Sequence, residues 1–407
     1  MNQFFLKKNI YAVVLSIILI SMMIFYIDEK SDEIVAILNS CLTDSDHQEA
    51  GMVSKTLEQE MLSIEYYDCF IYAYDWIQNF LNKSEIRDFS YIKEKSGFLY
   101  YGSFYEKEDE DLLKFSKQLR RLKEKAGGDT SFIFISPPEK DSSALVLLEN
   151  AKIISKSDRI QDEFLLYMQY MQIDALDLRE TFKNSEYLYE ELYYKTDRHW
   201  TTIAAFESFK AIVDKLCVDY GESLDSKYLD INNYHVNQYD NIMKGTIGEE
   251  IGAKYTDLDN FILITPKFDS DYLWEYTRNN GTKGSQQGPF EDSLLMLDKL
   301  NIKTGSMETP YEVYLNRINA WDKITNRQNP DGLKILCIRD AYFSPIAAFM
   351  MPYCSELHLI SPFDSEIDIE RYIEENDFDY VFVEYYPGKI TSKGFPFFND
   401  GKEVGTE

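Results

Sequence analysis

Eighteen consecutive uncharged residues, Ile10 to Ile27, open the hydrophobic pattern of this chain. A run of this length reaches the roughly 17 to 25 apolar residues that a helix needs to cross a bilayer. Lys7 and Lys8 precede it, and Asp28, Glu29 and Asp32 follow. The positive-inside rule therefore predicts a cytoplasmic segment 1–9, a single transmembrane anchor over 10–27, and the rest of the chain outside the cytoplasm, at the cell membrane. A cleaved signal peptide is the rival reading. The apolar run exceeds the ~7 to 15 residues of a signal core, and no small-x-small cleavage site follows it, so an uncleaved anchor is expected. Residues 28–90 read as a helical juxtamembrane region, with helix formers and aromatics over Met52–Leu62 and Tyr66–Leu81.

Beyond that region the period of the apolar positions changes back and forth. Leu112, Phe115, Leu119 and Leu122 keep helical spacing until Gly127-Gly128. Ser131 to Ile135 is a short apolar run stopped by Pro137-Pro138. Ile160, Phe164, Tyr167 and Met171 mark a second helix, leading into a strand over Ile173–Leu178, and Thr201–Cys217 reads as a third helix. Towards the carboxyl end, strands over 334–338, 357–360 and 380–383 alternate with helices over 345–352 and 369–375. That spacing belongs to crossover units. The prediction is an α/β domain over 91–390, with a central, mainly parallel sheet between helices. Arg278–Asp292 is expected to be a polar loop that lines or covers a site, and 391–407 a tail.

Charge narrows the partners. Asp and Glu number 70 against 42 Lys and Arg, for a formal charge of -28, which repels nucleic-acid phosphates; no nucleic-acid partner is expected. The five cysteines form no CxxC pair. Cys41 and Cys69 are placed where one bridge is conceivable, whereas Cys217 and Cys337 suit an apolar core. His47, His235 and His358 lack ligand spacing, and no glycine loop with a lysine cradles phosphate, so neither a metal nor a cofactor is expected.

The candidate chemistry lies in two segments. In Lys195-Thr196-Asp197-Arg198-His199-Trp200-Thr201, an Asp two residues before a His can orient an imidazole as a general base. The plainer alternative is a hydrogen-bonded pair at a helix start. The second segment, Ile335 to Tyr342, is an apolar strand ending in Arg339-Asp340 before a helix. It is a corner of the kind that presents a nucleophile, yet Ala341 stands there. Ser344 is one helical turn away, roughly 5 Å along the axis, and is the weaker alternative nucleophile. Backbone N–H groups at Ala341 and near Gly245 or Gly248 are candidates for an oxyanion hole. Trp200 reads either as a packing anchor beside His199 or as part of a ligand face, and the same two readings apply to Tyr385 and Tyr386.

Tyr194–Thr201, Gly245-Thr246-Ile247-Gly248 and Lys334–Phe343 resemble the DHHW proteins, close to the alginate O-acetyltransferase-like branch of the SGNH hydrolases; the likeness covers most of residues 95–390. It implies an SGNH-like fold in which Asp197 and His199 are the acid and base and Asp340 precedes the nucleophile. Arg198 replaces the second His of the motif. It also implies chemistry that moves or removes acetyl groups on cell-surface or exported polysaccharide, with a membrane-bound acyl-donor protein as a partner. Ala341 departs from the family's serine. Without a lone pair at that position no acyl-enzyme forms. The expectation is therefore a nucleophile-deficient homologue that binds glycan or scaffolds polysaccharide modification. The alternative is an active carbohydrate O-acetyltransferase or acetylesterase, working through Ser344 or a water activated by His199.

Overall fold

The computed structural model describes residues 84–86, 90–102, 111–146, 156–251, 257–300 and 310–398. All of them fall in one compact unit, Tyr74–Glu407. The anchor over 10–27, the helices expected over Met52–Leu62 and Tyr66–Leu81, and Cys41 and Cys69 lie outside the described residues. No helix among the described residues is long and apolar enough to cross a membrane.

A small antiparallel sheet comes first: β1 (Glu85–Ile86), β2 (Tyr91–Lys93) and β3 (Leu99–Tyr101). The alternating pattern then produces α1 (Leu112–Ala126), β4 (Ser131–Ser136), α2 (Lys156–Tyr170), β5 (Asp174–Asp177), the short helices α3 (Leu178–Lys183) and α4 (Tyr189–Leu192), and α5 (Thr202–Tyr220). Asp111 caps α1 by accepting the Lys114 N–H at 2.9 Å, and Gly221 closes α5 in the left-handed conformation that glycine adopts without strain (φ 75°). A ribbon of β6 (Tyr234–Met243) and β7 (Asp259–Pro266) brackets α6 (Thr246–Ile251). The rest comprises β8 (Tyr272–Thr277), β9 (Lys283–Gly288), α7 (Phe290–Leu294), β10 (Trp321–Asn326), β11 (Leu333–Arg339), α8 (Phe343–Met350), β12 (Cys354–Ile360), α9 (Ile369–Glu374) and β13 (Tyr380–Glu384).

The main sheet has eight strands in the order β5-β4-β13-β11-β12-β10-β8-β9. The first five are parallel; β10, β8 and β9 extend the sheet antiparallel. Parallel strands bury both faces, and here successive residues do so. Ile133, Ile135, Ile335, Cys337, Leu357, Leu359 and Phe382 pack with α5 and α8 on one side. Phe132, Phe134, Leu336, Ile338, Ile360, Val381 and Val383 pack with α1, α2 and α9 on the other.

Two expectations need correcting. Arg278–Asp292 is not a loop: most of it is the β8–β9 hairpin and the start of α7. Nor is the whole of 391–407 a tail, because Phe395 and Phe397 are buried against α1, with the Phe395 ring stacked 4.7 Å from Phe115.

Connectivity makes one strand end special. From β11 the chain passes through α8 to β12 on one side, then through α9 to β13 on the other. The two crossover helices lie on opposite faces, so the carboxyl end of β11 is the topological switch point, the place where α/β sheets bind ligands. Ala341 follows that strand.

Candidate functional site

Asp197 and His199 sit in the turn leading into α5, and both are buried. The Asp197 Oδ1 accepts the His199 N–H at 2.8 Å and lies 2.6 Å from His199 Nδ1. Its Oδ2 accepts the Thr246 N–H at 2.7 Å. Burial alone raises a carboxyl pKa; the His199 ring and these two backbone donors outweigh it, and Asp197 is held well below the usual carboxylate range. Burial pushes His199 down, Asp197 opposes, and the cationic Arg198 and Arg317 push the same way as burial. The imidazole is thus neutral near pH 7. Because a carboxylate only accepts, the ring proton is on Nδ1, which leaves the lone pair on Nε2. Nε2 has no hydrogen-bond partner among the described residues. This is the arrangement of a general base.

Tertiary packing brings the second segment to it. The Tyr342 ring, next to Ala341, lies 5.0 Å from the His199 ring, and its hydroxyl donates to the Arg198 carbonyl at 2.7 Å. The Tyr311 ring stacks on the imidazole with centroids 4.4 Å apart. Asp340 is buried, and its two oxygens accept the N–H groups of Tyr342 (2.8 Å) and Tyr386 (3.2 Å). It therefore pins the β11–α8 corner to the end of β13 and does not face a ligand. Burial raises its pKa to about 6, and the neighbouring Glu384 carboxyl, buried beside it, is pushed well above its ordinary value.

Several sequence candidates change role. Ser344 is buried; its hydroxyl donates to the Arg317 carbonyl and accepts from Arg339 Nη1 at 2.7 Å, so its lone pair and proton are both engaged away from His199. The Gly248 N–H donates to the Thr196 carbonyl at 2.9 Å and is not free for an oxyanion. Gly245 is needed for close approach: at φ 67°, an added Cβ would lie 2.4 Å from the Thr196 carbonyl carbon and 2.6 Å from the Asp197 nitrogen. Trp200 is completely buried between Phe182 and Tyr342, which makes it a packing anchor. Tyr385 is likewise core, its hydroxyl tied to the Gly394 carbonyl. Tyr386 instead meets Arg198, its hydroxyl 3.4 Å from Nη1. Among the described residues no cluster of His, Cys, Asp and Glu could hold a metal ion.

Two supports were not legible in the sequence. Lys140 is buried, and its ammonium donates to the carbonyls of Leu99 (2.8 Å), Lys195 (2.9 Å) and Asp197 (2.8 Å). Three acceptors match the three N–H bonds of an ammonium, so one side chain fixes the loop that carries Asp197. Opposite, Leu315, Asn316 and Arg317 are all left-handed (φ 50°, 54° and 61°), a conformation that costs non-glycine residues of order 1–3 kcal/mol each. Arg339 and Ser344 hold this turn through the Arg317 carbonyl. Arg339 is fixed in turn by a buried ion pair with Asp322 at 2.8 Å. Asp322 also accepts from Trp274 (2.9 Å) and Asn319 (2.7 Å). Neither support has a periodic or spacing signature.

No protein-family model and no curated protein matches the chain. Solved structures do. A DHHW family protein from Eubacterium siraeum superposes with a TM-score of 0.57 at 16% identity, over 75% of this chain and 94% of that one. Bacillus cereus PatB1, in a structure with a sulfonyl adduct, gives a TM-score of 0.59 at 17% identity, over 75% and 97% of the two chains. The chain shares their fold. The likeness to DHHW proteins drawn from Tyr194–Thr201 and Lys334–Phe343 is thus matched by a likeness of tertiary structure.

Proposed function

We propose that this chain is a membrane-anchored, extracytoplasmic protein of cell-surface or exported polysaccharide modification. In this reading it binds glycan, or scaffolds a complex with a membrane-bound acyl-donor protein, through an acyl-transfer site that lacks its nucleophile. The observation that carries the proposal is the assembled Asp197–His199 pair, with Nε2 free, packed against the corner where Ala341 stands. In a working site of this layout, a serine hydroxyl would give its proton to His199 Nε2 and attack the acyl carbon. A methyl group does neither. Loss of such a serine costs on the order of 10⁶ in turnover in a well-studied serine protease. The engaged hydroxyl of Ser344 argues against its substituting. One observation favours a second reading, slow acyl chemistry by water: His199 is a neutral base whose lone pair no described residue uses.

The test is acetyl-ester hydrolysis by the detergent-purified full chain, compared with Ala341→Ser and with Ala341→Ser/His199→Ala. Activity gained only in the single variant supports a site complete but for one atom. Activity in the unaltered chain that His199→Ala abolishes overturns the nucleophile-deficient reading. Silence from all three folded proteins leaves glycan binding as the role and refutes the idea of an intact catalytic layout. Co-purification from native membranes without any multispanning partner would count against the acyl-donor complex.

A further inference from the structure

Next to the candidate site, but not lined by it, a cleft of about 910 Å³ opens at the β8–β9 hairpin. Its walls come from the hairpin turn (Arg278, Asn279, Asn280), the start of β10 (Trp321) and the segment after β12 (Asp364, Glu366). Trp321 pairs with Ile360 on β12, and Ile360 pairs with Ile338 on β11. The cleft therefore lies at the same end of the sheet as Ala341, with Trp321 two strand spacings, roughly 10 Å, from Ile338 on β11. The strained turn Leu315–Arg317 links the two places, since its last carbonyl anchors at the Ala341 corner and the chain reaches Trp321 four residues later.

We propose that this cleft is a saccharide subsite, so that a linear glycan lying across this end of the sheet occupies the Trp321 cleft and the Ala341 corner together. The inference rests on the glycan-binding reading above. Its chemistry is that of a sugar ring, which has an apolar face and a rim of hydroxyls. Trp321 is partly exposed in the cleft and offers an apolar face, whereas Trp200 and Trp274 are entirely buried. The rim offers donors and acceptors together. Asn279 and Asn280 are exposed, and Arg278 leans over the Tyr276 ring at 5.5 Å with a buried Nε that has no partner. Asp364 and Glu366 face them. Carboxylates on one wall and a guanidinium on the other suit a neutral polyhydroxyl chain better than a phosphate-bearing one.

The experiment is calorimetric titration of the full chain with three hexasaccharide probes, of β-1,4-linked glucose, β-1,4-linked N-acetylglucosamine and α-1,4-linked galacturonate. At least one neutral probe is expected to bind, with Trp321→Ala weakening it about tenfold or more and Val218→Ala, exposed on α5, changing it less than about twofold. Arg278→Gln and Asn280→Ala, on the exposed turn, should weaken it as well and guard against a Trp321 variant that fails to fold. Binding that survives the three cleft substitutions but is lost at His199 overturns the subsite and leaves the glycan-binding function standing. Binding of the galacturonate probe alone also overturns it. No binding by any probe removes both.

Discussion

Gly245→Ala tests whether the candidate site depends on one close backbone contact. Two costs follow from the geometry. A residue with a Cβ at φ 67° loses about 1–2 kcal/mol relative to glycine. The Cβ, at 2.4 Å from both the carbon and oxygen of the Thr196 carbonyl, forces a backbone shift of the kind that costs about 1–3 kcal/mol. The expected loss is about 2–5 kcal/mol, large against the roughly 5–15 kcal/mol of a typical domain but not enough to unfold most. Relaxation cannot occur without moving Asp197, because Gly245 presses on the Thr196–Asp197 peptide and the next residue, Thr246, donates to Asp197 Oδ2. Urea unfolding of the full chain should therefore show reduced stability, and ¹⁵N spectra of labelled histidine should show the His199 ring losing its Nδ1 hydrogen bond. A loss below about 0.5 kcal/mol, the size of an ordinary surface substitution, with an unchanged His199 signal would refute the reasoning.

Other expectations concern the supports around the Asp197–His199 pair and the sheet behind it. Asp322→Ala should destabilise by about 3–5 kcal/mol by stranding Arg339, whereas Asp322→Leu/Arg339→Met should cost much less; a double variant as unstable as the single would show that the pair itself stabilises. Lys140→Met should strand three carbonyls and free the Asp197 loop, seen as faster amide exchange over 195–199; unchanged exchange would show that the loop holds without it. His358, buried and held by Tyr372 and Glu356, has its pKa lowered by burial to about 4. The unfolded chain then binds the proton more readily, so stability is full above about pH 6.5 and falls as pH drops towards 4, by about 3 kcal/mol at the lower end. His358→Phe should flatten that slope in urea titrations across this window, and an unaltered slope would assign it to other groups.

The order of elements in the parallel part of the sheet was decided locally. Buried parallel strands such as Ser131–Ser136 and Leu333–Arg339 read as apolar runs, and helices such as Leu112–Ala126 repeat their apolar residues every three or four positions. The Asp-x-His spacing likewise carries its own geometry, since the Asp197 carboxylate reaches both the backbone N–H and the ring of His199 within one turn. The antiparallel half was not legible. Lys283–Gly288 is polar and exposed at alternate positions, so it is held as a strand by pairing with β8 and not by its own apolar pattern. Roles that depend on contacts between distant segments were hidden for the same reason. Whether Gly248 is free, whether Ser344 has a spare hydroxyl, and where Lys140 sends its ammonium depend on which carbonyls the fold delivers to them. Side-chain type and spacing declare what a residue is able to do; the backbone that arrives from elsewhere in the chain decides which of those capacities is already used.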